Sequence, residues 1–503
     1  MLKLKVTSYA ALLGLFTSSA VIAAEPTSFD LSLQELLNVE VTSVSKQKQP
    51  LSNSPAAIYV ISSENIRHSG ATSIPQALRD VPGLHVAQID SQKWAISSRG
   101  FNGRYNNKLL VLMDGRTLYS PVFSGVYWEV QDTLMADIER IEVIRGPSAA
   151  MWGANAVNGV INIITKHSAD TSGGYAELGA GDYEQGFAGF RYGSKLSDNA
   201  TSRVYVKGHS KDSLEHDQQD LGDYLVGPST SVDKDNDWTH LQVGGRVDIE
   251  LETGTSLMLS SDWYRTQMQQ TSYYPTLVGP SYIEYNNDDV NSDGFNLLSK
   301  FTKALSPTSQ YSLQTYYDYA KRDDDWYGFS SETLDVDFQH QLLVGQNHNI
   351  VWGLGYRFIN DDFDKSTIIV SSKSASTRTH LWSTFVRDEM TLIDDELWLT
   401  LATRVEHFDY TGLEIQPNIR LMWQLNKKNN LWASVSRAIR TPSRVENNLS
   451  VNAQNIPPSD ESPLVSIWVM RWTLPNTASM RQTDVEPYSY LRSVHHESYH
   501  YCD

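Results

Sequence analysis

The sequence predicts a compact α+β domain followed by a transmembrane antiparallel β-barrel whose interior that domain could occupy. Three observations support this fold class. The chain begins with a short apolar stretch closed by small residues, which is typical of an exported protein. Residues 51–168 mix helical and strand patterns, whereas the chain from 169 to 466 alternates apolar and polar residues with period two. Short and long polar connections alternate between those runs, as the turns and loops of a membrane barrel do.

Residues 1–24 are predicted to be a signal peptide. Two lysines precede the apolar stretch from Tyr9 to Phe16, and AVIAA offers a cleavage site after Ala23 or Ala24. The stretch is too short to cross a bilayer as a helix. We therefore expect export, with residues 25–50 forming a periplasmic lead-in to the first domain.

Composition excludes several functional classes. A formal charge of -18 over 503 residues argues against nucleic acid as a partner, because phosphates demand an excess of Lys and Arg. The single cysteine, Cys502, excludes an internal disulfide framework. No Ser/His/Asp, paired-carboxylate or Cys/His spacing indicates an enzyme, and no cofactor or metal site is predicted. Aspartate-rich runs in the long loops could hold Ca²⁺, although hydrated loops explain them more simply.

The first domain shows three clear elements. AAIYVIS reads as a strand, and SIPQALRDVPG reads as a short helix with proline at its start and Pro-Gly at its end. LLVLMDG reads as a buried strand closed by Asp114-Gly115. Strands and short helices in this order predict a compact α+β fold.

The later chain repeats a strand pattern with one apolar and one polar face. Residues 241–251, LQVGGRVDIEL, and 415–425, IQPNIRLMWQL, place apolar side chains at odd positions and mostly polar ones at even positions. Hydrocarbon offers no hydrogen-bond partners, so a sheet in a membrane must pair every backbone amide and close. A soluble β-sandwich would also alternate, but nothing obliges it to sort its loops by length.

The connections between strands fall into two groups. Short polar connections are expected at 252–255, 305–310, 344–349, 393–396 and 425–430, and long ones at 211–237, 267–292 and 360–377. A transmembrane barrel keeps tight turns on one rim and long loops on the other.

The pattern weakens towards the end of the chain. Roughly thirteen alternating runs precede Arg440, an odd number, whereas closed bacterial barrels have an even number of strands, about 22 when the lumen is plugged. Residues 467–503 show no sustained alternation. We therefore expect the barrel, residues 169–466, to be incomplete, as in a truncated or frame-disrupted product with an atypical tail.

Three segments of the first domain carry a family resemblance. SSRGFNGR (97–104), NKLLVLMDGRTLYSP (107–121) and DIERIEVIRGPSAAMWGANAVNGVINIITK (137–166) resemble the plug domain of TonB-dependent outer-membrane receptors. They occur in the family's order and spacing. The resemblance implies a plug inside a Gram-negative outer-membrane barrel that imports a large, scarce nutrient. A ferric siderophore is the first choice of ligand. The alternatives are a receptor for cobalamin or another ligand, and a non-transporting receptor fragment.

The joint from Gly146 to Gly159 is predicted to allow close packing of the backbone and not to take part in catalysis. Gly146-Pro147 ends a strand and starts a tight helical turn, and Asn158-Gly159 suits a turn that needs positive φ. Arg99 and Arg145 match arginines that, in the family, pair with barrel glutamates and lock the plug to the wall; the glutamates are not identified from the sequence, and the alternative is two surface arginines in turns. The predicted plug-motif residues are Arg99, Gly100, Asp114, Gly115, Arg145, Gly146, Pro147, Gly153, Asn158 and Gly159.

The resemblance further implies a TonB box in the lead-in. Such a box is a short extended peptide that the TonB energy-transducing protein of the inner membrane captures by strand addition. The best candidate by composition and position is Val39, Glu40, Val41, Thr42 and Ser43, and the alternative is an ordinary linker strand. The other expected partners are outer-membrane lipid and a small metal-chelate or vitamin-type ligand.

Aromatic residues in the long loops are candidates for stacking on a ligand. Solvated loop positions or an interfacial girdle explain them about as well. The candidates are Tyr273, Tyr274, Tyr282, Tyr285, Trp326 and Tyr327.

Overall fold

The computed structural model describes residues 40–47, 49–51, 54–214, 236–275, 283–324, 327–366, 370–426, 429–456, 466–471 and 486–488. The predicted signal peptide, Val39 and most of the tail lie outside these residues. No helix within the described ranges is both long enough and apolar enough to cross a membrane.

The first domain, here called the plug, is built on a five-stranded mixed sheet. Its strands, in spatial order, are β3 (Ala57–Ser62), β8 (Ile138–Arg145), β9 (Gly159–Thr165), β6 (Leu109–Met113) and β7 (Arg116–Thr117), and β6 and β9 run parallel. The predicted strand AAIYVIS, the proline-started helix and the strand LLVLM are confirmed as β3, α2 and β6. The plug elements are β1 Glu40–Val41, β2 Gln49–Pro50, β3 Ala57–Ser62, α1 Ser63–Ser69, α2 Ile74–Ala77, β4 Leu84–Gln88, β5 Trp94–Ser98, β6 Leu109–Met113, β7 Arg116–Thr117, β8 Ile138–Arg145, α3 Ala149–Trp152 and β9 Gly159–Thr165.

The plug has its own apolar core. Ile141 and Val143 of β8 and Ile161 and Ile163 of β9 are fully buried and pack against α1 and α2 through Ile66 and other side chains. β6 is buried along its whole length, as its continuous apolar run predicts. Burial of this apolar surface stabilises the plug from within.

The second domain, here called the wall, is a 13-stranded antiparallel sheet, which confirms the roughly thirteen predicted strands. The strands are β10 Gly173–Gly179, β11 Gly186–Ser197, β12 Ala200–Lys211, β13 Trp238–Glu252, β14 Thr255–Pro275, β15 Ile283–Ser306, β16 Ser309–Asp323, β17 Tyr327–Val344, β18 His348–Ser366, β20 Ser376–Ile393, β21 Leu397–Phe408, β22 Gly412–Asn426 and β23 Asn429–Ser436. Each strand of this sheet pairs with the next strand of the same sheet along the chain, so β18 pairs with β20 because β19 (Val370–Ser372) belongs to a second sheet.

A small second sheet lies beside the wall. It contains β19 (Val370–Ser372), β24 (Leu449–Ile456), β25 (Ser466–Arg471) and β26 (Glu486–Tyr488) in that order. A short helix, α4 (Arg444–Asn448), precedes β24.

The two faces of the wall differ in polarity as predicted. On β22, Ile419 and Leu421 are 52% and 41% exposed on the outer face, whereas Gln416 and Asn418 are almost fully buried on the inner face. Outward apolar and inward polar positions are the arrangement that a membrane barrel requires. The polar inner face therefore packs against the plug.

The tight connections fall where they were predicted, but two of the long ones are shorter than expected. Within the predicted loop 267–292, β14 continues to Pro275 and β15 starts at Ile283, and β18 and β20 likewise extend into 360–377. Polar cross-strand pairs, such as Thr271 with Asn287 at 2.7 Å, continue the ladder where the apolar alternation has ended. Backbone pairing needs no apolar face, so period-two hydrophobicity underestimates the strand length.

The wall curves about the plug as an open sheet, since β10 and β23, its first and last described strands, are not paired with each other, and it has two distinct rims. The short-turn rim carries the turns at 253–254, 307–308, 345–347 and 394–396, and the long-loop rim is the opposite end. The plug contacts the inner face of strands far apart in the sheet, including β11, β12, β16, β17 and β21. The predicted fold class, an α+β plug within an antiparallel β-barrel wall, is therefore confirmed.

Candidate functional site

The lead-in segment Glu40–Lys46 is folded against the plug. β1 pairs with β2, and the backbone amides of Thr42 and Ser43 donate to the carboxylate of Glu142 at 3.0 and 2.7 Å. Arg140 Nε donates to the same carboxylate at 2.8 Å, and Glu142 is fully buried. One buried carboxylate thus holds the segment by its backbone. Charge-assisted bonds of this kind are stronger than neutral ones.

The same segment also touches the wall. Trp152 Nε1 donates to the Ser43 carbonyl at 2.6 Å, and Lys46 Nζ lies 5.2 Å from the centre of the Trp152 ring. Lys46 also lies 3.6 Å from the carboxylate of Asp337 on β17 and 4.7 Å from the ring of Phe385 on β20. Burial lowers the pKa of Lys46, and the nearby Asp337 charge opposes that shift. The lead-in therefore joins the plug to the wall.

The joint from Gly146 to Gly159 is tight because a wall carboxylate occupies the space beside it. Glu406 on β21 accepts from the backbone amide of Ala154 at 3.1 Å and from Arg404 Nε at 2.7 Å. A Cβ atom on Gly153, whose φ is +87°, would lie 2.6 Å from Glu406 Oε1. The glycine is required both by its backbone conformation and by the close approach of the wall.

Replacing Gly153 with alanine is expected to weaken docking of the plug. The added methyl group must displace Glu406, and overpacking of this kind costs about 1–3 kcal/mol. Gly100→Ala is the matched control, because Gly100 has a similar φ of +94° but no atom within 4 Å of its Cβ position. The free energy of unfolding from urea titration should fall further for Gly153→Ala than for Gly100→Ala. Equal losses would mean that backbone strain alone explains the glycine.

A second contact fixes the same joint to the segment after β23. Asn155 has a φ of +74°, its amide donates to the Ile439 carbonyl at 2.8 Å, and its side-chain oxygen accepts from the Thr441 amide at 2.9 Å. Further along, Arg444 Nε donates to Asp361 of β18 at 2.6 Å. The chain leaving β23 therefore crosses the plug and returns to the wall.

Two buried ion-pair clusters anchor the plug to the first wall strands. Asp137, which is fully buried, accepts from Arg191 Nη1 of β11, and Arg203 Nε of β12 lies 3.4 Å from its other oxygen. Nearer the long-loop rim, Asp132 pairs with Lys207 of β12 at 2.8 Å. Asp137 and Asp132 each meet a counter-charge on the wall.

On the opposite side, Glu129 anchors the plug to β16. Its carboxylate lies 3.2 Å from Arg322 Nη1 and 3.3 Å from Arg104 Nη2, and all three groups are largely buried. Tyr127 also shares a hydrogen bond of 2.9 Å with Tyr327 of β17. Because Arg322 is next to the end of β16, these contacts mark the face of the plug that points to the long-loop rim.

A polar cavity of about 900 Å³ runs between the plug and the wall. It extends from Ser256 and Gln310 near the short-turn rim to Asp361 and Arg444. Charged groups from both domains line it, among them Lys46, Asp114, Lys300, Asp337, Arg357 and Glu406. A space with this lining can hold water and charged groups and gives the plug room to shift.

The predicted pairing of Arg99 and Arg145 with barrel glutamates is not seen among the residues whose side chains are described. Arg145 Nη1 donates to the Pro82 carbonyl at 2.7 Å, and Arg99 Nη2 lies 3.4 Å from the Arg145 carbonyl. Arg99 is exposed. Both arginines brace the plug internally, and the plug carboxylates named above make the contacts to the wall.

The structure agrees with one predicted turn of the plug motif and differs from another. Asp114 and Gly115 have φ of +50° and +87°, as a tight turn requires, and Asp114 accepts from the Thr165 amide at 2.8 Å. The prediction that Asn158-Gly159 forms a turn with positive φ was wrong, since neither residue has a positive φ. Gly159 starts β9, where a Cβ would clash with the Ile144 carbonyl oxygen. Close strand packing, not turn geometry, requires that glycine.

The predicted ligand-binding aromatic residues do not form one described cluster. Tyr273, Tyr274 and Tyr285 belong to β14 and β15, with Tyr273 opposite Tyr285 in the ladder, while Tyr282 and Trp326 lie outside the described residues. Tyr327 is bonded to Tyr127 and stacks on Phe329 at 6.1 Å. Tyr327 is thus a contact between wall and plug.

Metal ligands were also sought among the described residues. No group of three or more His, Cys, Asp or Glu side chains there is positioned to hold a metal ion. Asp361, from one of the aspartate-rich runs, is instead paired with Arg444.

The wall partners were the residues that sequence reasoning missed. Several belong to a repeated pattern in which an arginine and a carboxylate are two positions apart on one strand, as in Arg246 with Asp248, Arg387 with Glu389 and Arg404 with Glu406. Residues two apart on a strand share a face. Opposite charges at this spacing on the polar face were an available signal for an occupied lumen.

Comparison with known proteins agrees with this architecture. The family model described as TonB-dependent Receptor Plug Domain matches residues 50–160, and the model described as TonB dependent receptor-like, beta-barrel matches residues 285–460. The iron-regulated outer membrane virulence protein of Vibrio cholerae is 26% identical over 457 residues, which is 86% of this chain and 63% of that protein. The vitamin B12 transporter BtuB of Vibrio vulnificus is 24% identical over 406 residues, which is 80% of this chain and 63% of that protein.

Solved structures show the same fold. A mutant of the ferric enterobactin receptor PfeA from Pseudomonas aeruginosa matches with a TM-score of 0.63 and 17% identity, over 82% of this chain and 68% of that chain. The siderophore receptor PirA from the same species matches with a TM-score of 0.60 and 17% identity, over 82% and 70% of the two chains. The chain spans about 63% of the length of the curated relatives named above.

Proposed function

This chain belongs to the TonB-dependent receptor family, and from that premise we propose that it is an outer-membrane receptor that takes up a large, scarce nutrient with energy from the inner membrane. The family is one of receptors and not of enzymes. The observation that carries the proposal is the folded lead-in, which links the plug to the wall through Glu142, Trp152 and Lys46. A segment held in this way can transmit a pull from the short-turn rim to the plug.

The proposed point of attachment for the energy transducer is the candidate TonB box, Val39–Ser43. The edge of β1 is already paired with β2, and the Thr42 and Ser43 amides are bound by Glu142. Strand addition needs free backbone groups. The box must therefore leave Glu142 before the transducer can capture it.

We propose a ferric siderophore as the ligand, with cobalamin as the second candidate. The plug loop facing the long-loop rim combines aromatic and cationic groups: Phe101 is 77% exposed, Tyr105 is 51% exposed, and Lys108 Nζ lies 4.8 Å from the centre of the Phe101 ring. Arg99 is exposed beside them. This chemistry suits an anionic chelate with planar rings. The relatives described as iron-regulated or as siderophore receptors support the same choice.

Uptake measurements in Gram-negative cells test the proposal. Cells that lack their own ferric-siderophore receptors should accumulate radioactive iron from a ferric catecholate when they express this chain and an intact TonB system. Accumulation should be lost without the transducer and when residues 39–43 are replaced by a Gly/Ser sequence. Binding without accumulation would contradict transport by this chain. Accumulation of labelled cobalamin in place of iron would reverse the order of the two ligands.

A further inference from the structure

Arg387, Glu389 and Arg420 lie on the inner face of the wall within two residues of one level, so this part of the lumen carries more positive than negative charge. Arg387 and Glu389 lie on β20, Arg404 and Glu406 on β21, and Arg420 on β22. Arg404 bonds Glu406 at 2.7 Å, and Arg387 Nη2 donates to Glu389. No carboxylate pairs with Arg420 within the portion of the chain whose side chains are described.

Arg420 is nevertheless buried, with only 9% of its surface exposed. Its Nε atom is buried without a hydrogen-bond partner, and so is Arg387 Nη1, although Arg387 is only 3% exposed. A buried guanidinium without a counter-charge is strongly unfavourable. Two neighbouring arginines with unused donors therefore indicate a missing anionic group.

The strand register brings these donors to one place. Arg420 lies opposite Thr400, which in turn lies opposite Glu389, and Arg387 lies opposite Ala402 on the same middle strand. Adjacent strands are about 4.8 Å apart, so the two arginines stand diagonally across two strand spacings. Between them the middle strand presents only the small side chains of Thr400 and Ala402.

We propose that Arg387 and Arg420 form an oxyanion-binding site in the lumen, with Thr400 on its floor. The planar guanidinium group matches the geometry of a carboxylate or phosphate, and Glu389 leaves the cluster with one net positive charge. The anion is either free inorganic phosphate or a carboxylate of a chelate passing through the lumen. Only the second source rests on the proposed transport function.

Calorimetric titration of the folded, detergent-solubilised chain with inorganic phosphate at constant ionic strength tests this site. The wild type should bind a single phosphate per chain, and Arg420→Met should lose that binding. Arg265→Met is the control, because Arg265 is 61% exposed and pairs with Asp293 on the wall. If ferric citrate displaces phosphate, the site accepts a chelate carboxylate; if it does not, the site accepts the free anion.

Thermal unfolding separates loss of the site from loss of the fold. Without phosphate, Arg420→Met should unfold at a higher temperature than the wild type, because the substitution removes a buried unpaired charge. Phosphate should raise the midpoint of the wild type by roughly 2–4 °C and leave Arg420→Met unchanged. The proposed anion site would be contradicted if the wild type bound no phosphate, or if the wild type and Arg420→Met bound it equally. Neither result would bear on the proposed transport function.

Discussion

Replacing Glu142 with alanine is expected to release the lead-in segment from the plug. The substitution removes the acceptor for the Thr42 and Ser43 amides, and hydrogen bonds to a charged group contribute about 1.5–3 kcal/mol each. Val41 is fully buried in the docked segment, so a cysteine introduced there reports release. With Cys502 replaced by serine, maleimide labelling of Val41→Cys should become roughly 10- to 100-fold faster in the Glu142→Ala background.

Glu139→Ala is the matched control for this experiment. Glu139 bonds Arg140 at 2.6 Å, as Glu142 also does, but it is half exposed and makes no described contact with the lead-in. Its loss should leave the labelling rate unchanged. Equal labelling in the two variants would show that Glu142 does not hold the segment. Faster labelling confined to Glu142→Ala would identify this carboxylate as the group that the proposed TonB box must leave.

Replacing Asp137 with alanine is expected to cause the largest loss of stability at the interface of plug and wall. Asp137 is the fully buried counter-charge of Arg191 and Arg203, which are 9% and 5% exposed. Breaking a buried ion pair by removing one partner costs about 3–5 kcal/mol, because the remaining charge stays buried. Urea unfolding of the detergent-solubilised protein, followed by tryptophan fluorescence, measures this loss.

Two further variants test the cause of that loss. Asp198 pairs with Lys195 on the surface, so Asp198→Ala should change stability by no more than about 1 kcal/mol. Adding Arg191→Met to Asp137→Ala should recover part of the stability, since it removes one of the two unpaired charges. A double variant less stable than Asp137→Ala alone would argue that packing, and not charge, dominates at this position.

Local patterns carried much of the architecture. Alternation in segments such as 415–425 fixed which side chains of β22 face outward, because side chains on a strand alternate between faces whatever the rest of the fold does. The turn at Asp114-Gly115 was equally local, since its positive φ values depend on the two residues themselves. The lengths of the strands at the long-loop rim were harder to predict from the sequence. Polar pairs such as Thr271 with Asn287 extend the ladder without an apolar signature.

The sequence by itself determined that a mixed α+β domain precedes a two-faced sheet, and that tight glycine-containing joints punctuate the first domain. Only the tertiary structure decided which charges meet. Asp137 with Arg191, and Glu406 with the Ala154 amide, join residues 54 and 252 positions apart. Only the tertiary structure likewise shows that Arg99 and Arg145 brace the plug internally in the described part of the chain. Charge pairing depends on distance in space, and one sequence records only the order of residues along the chain.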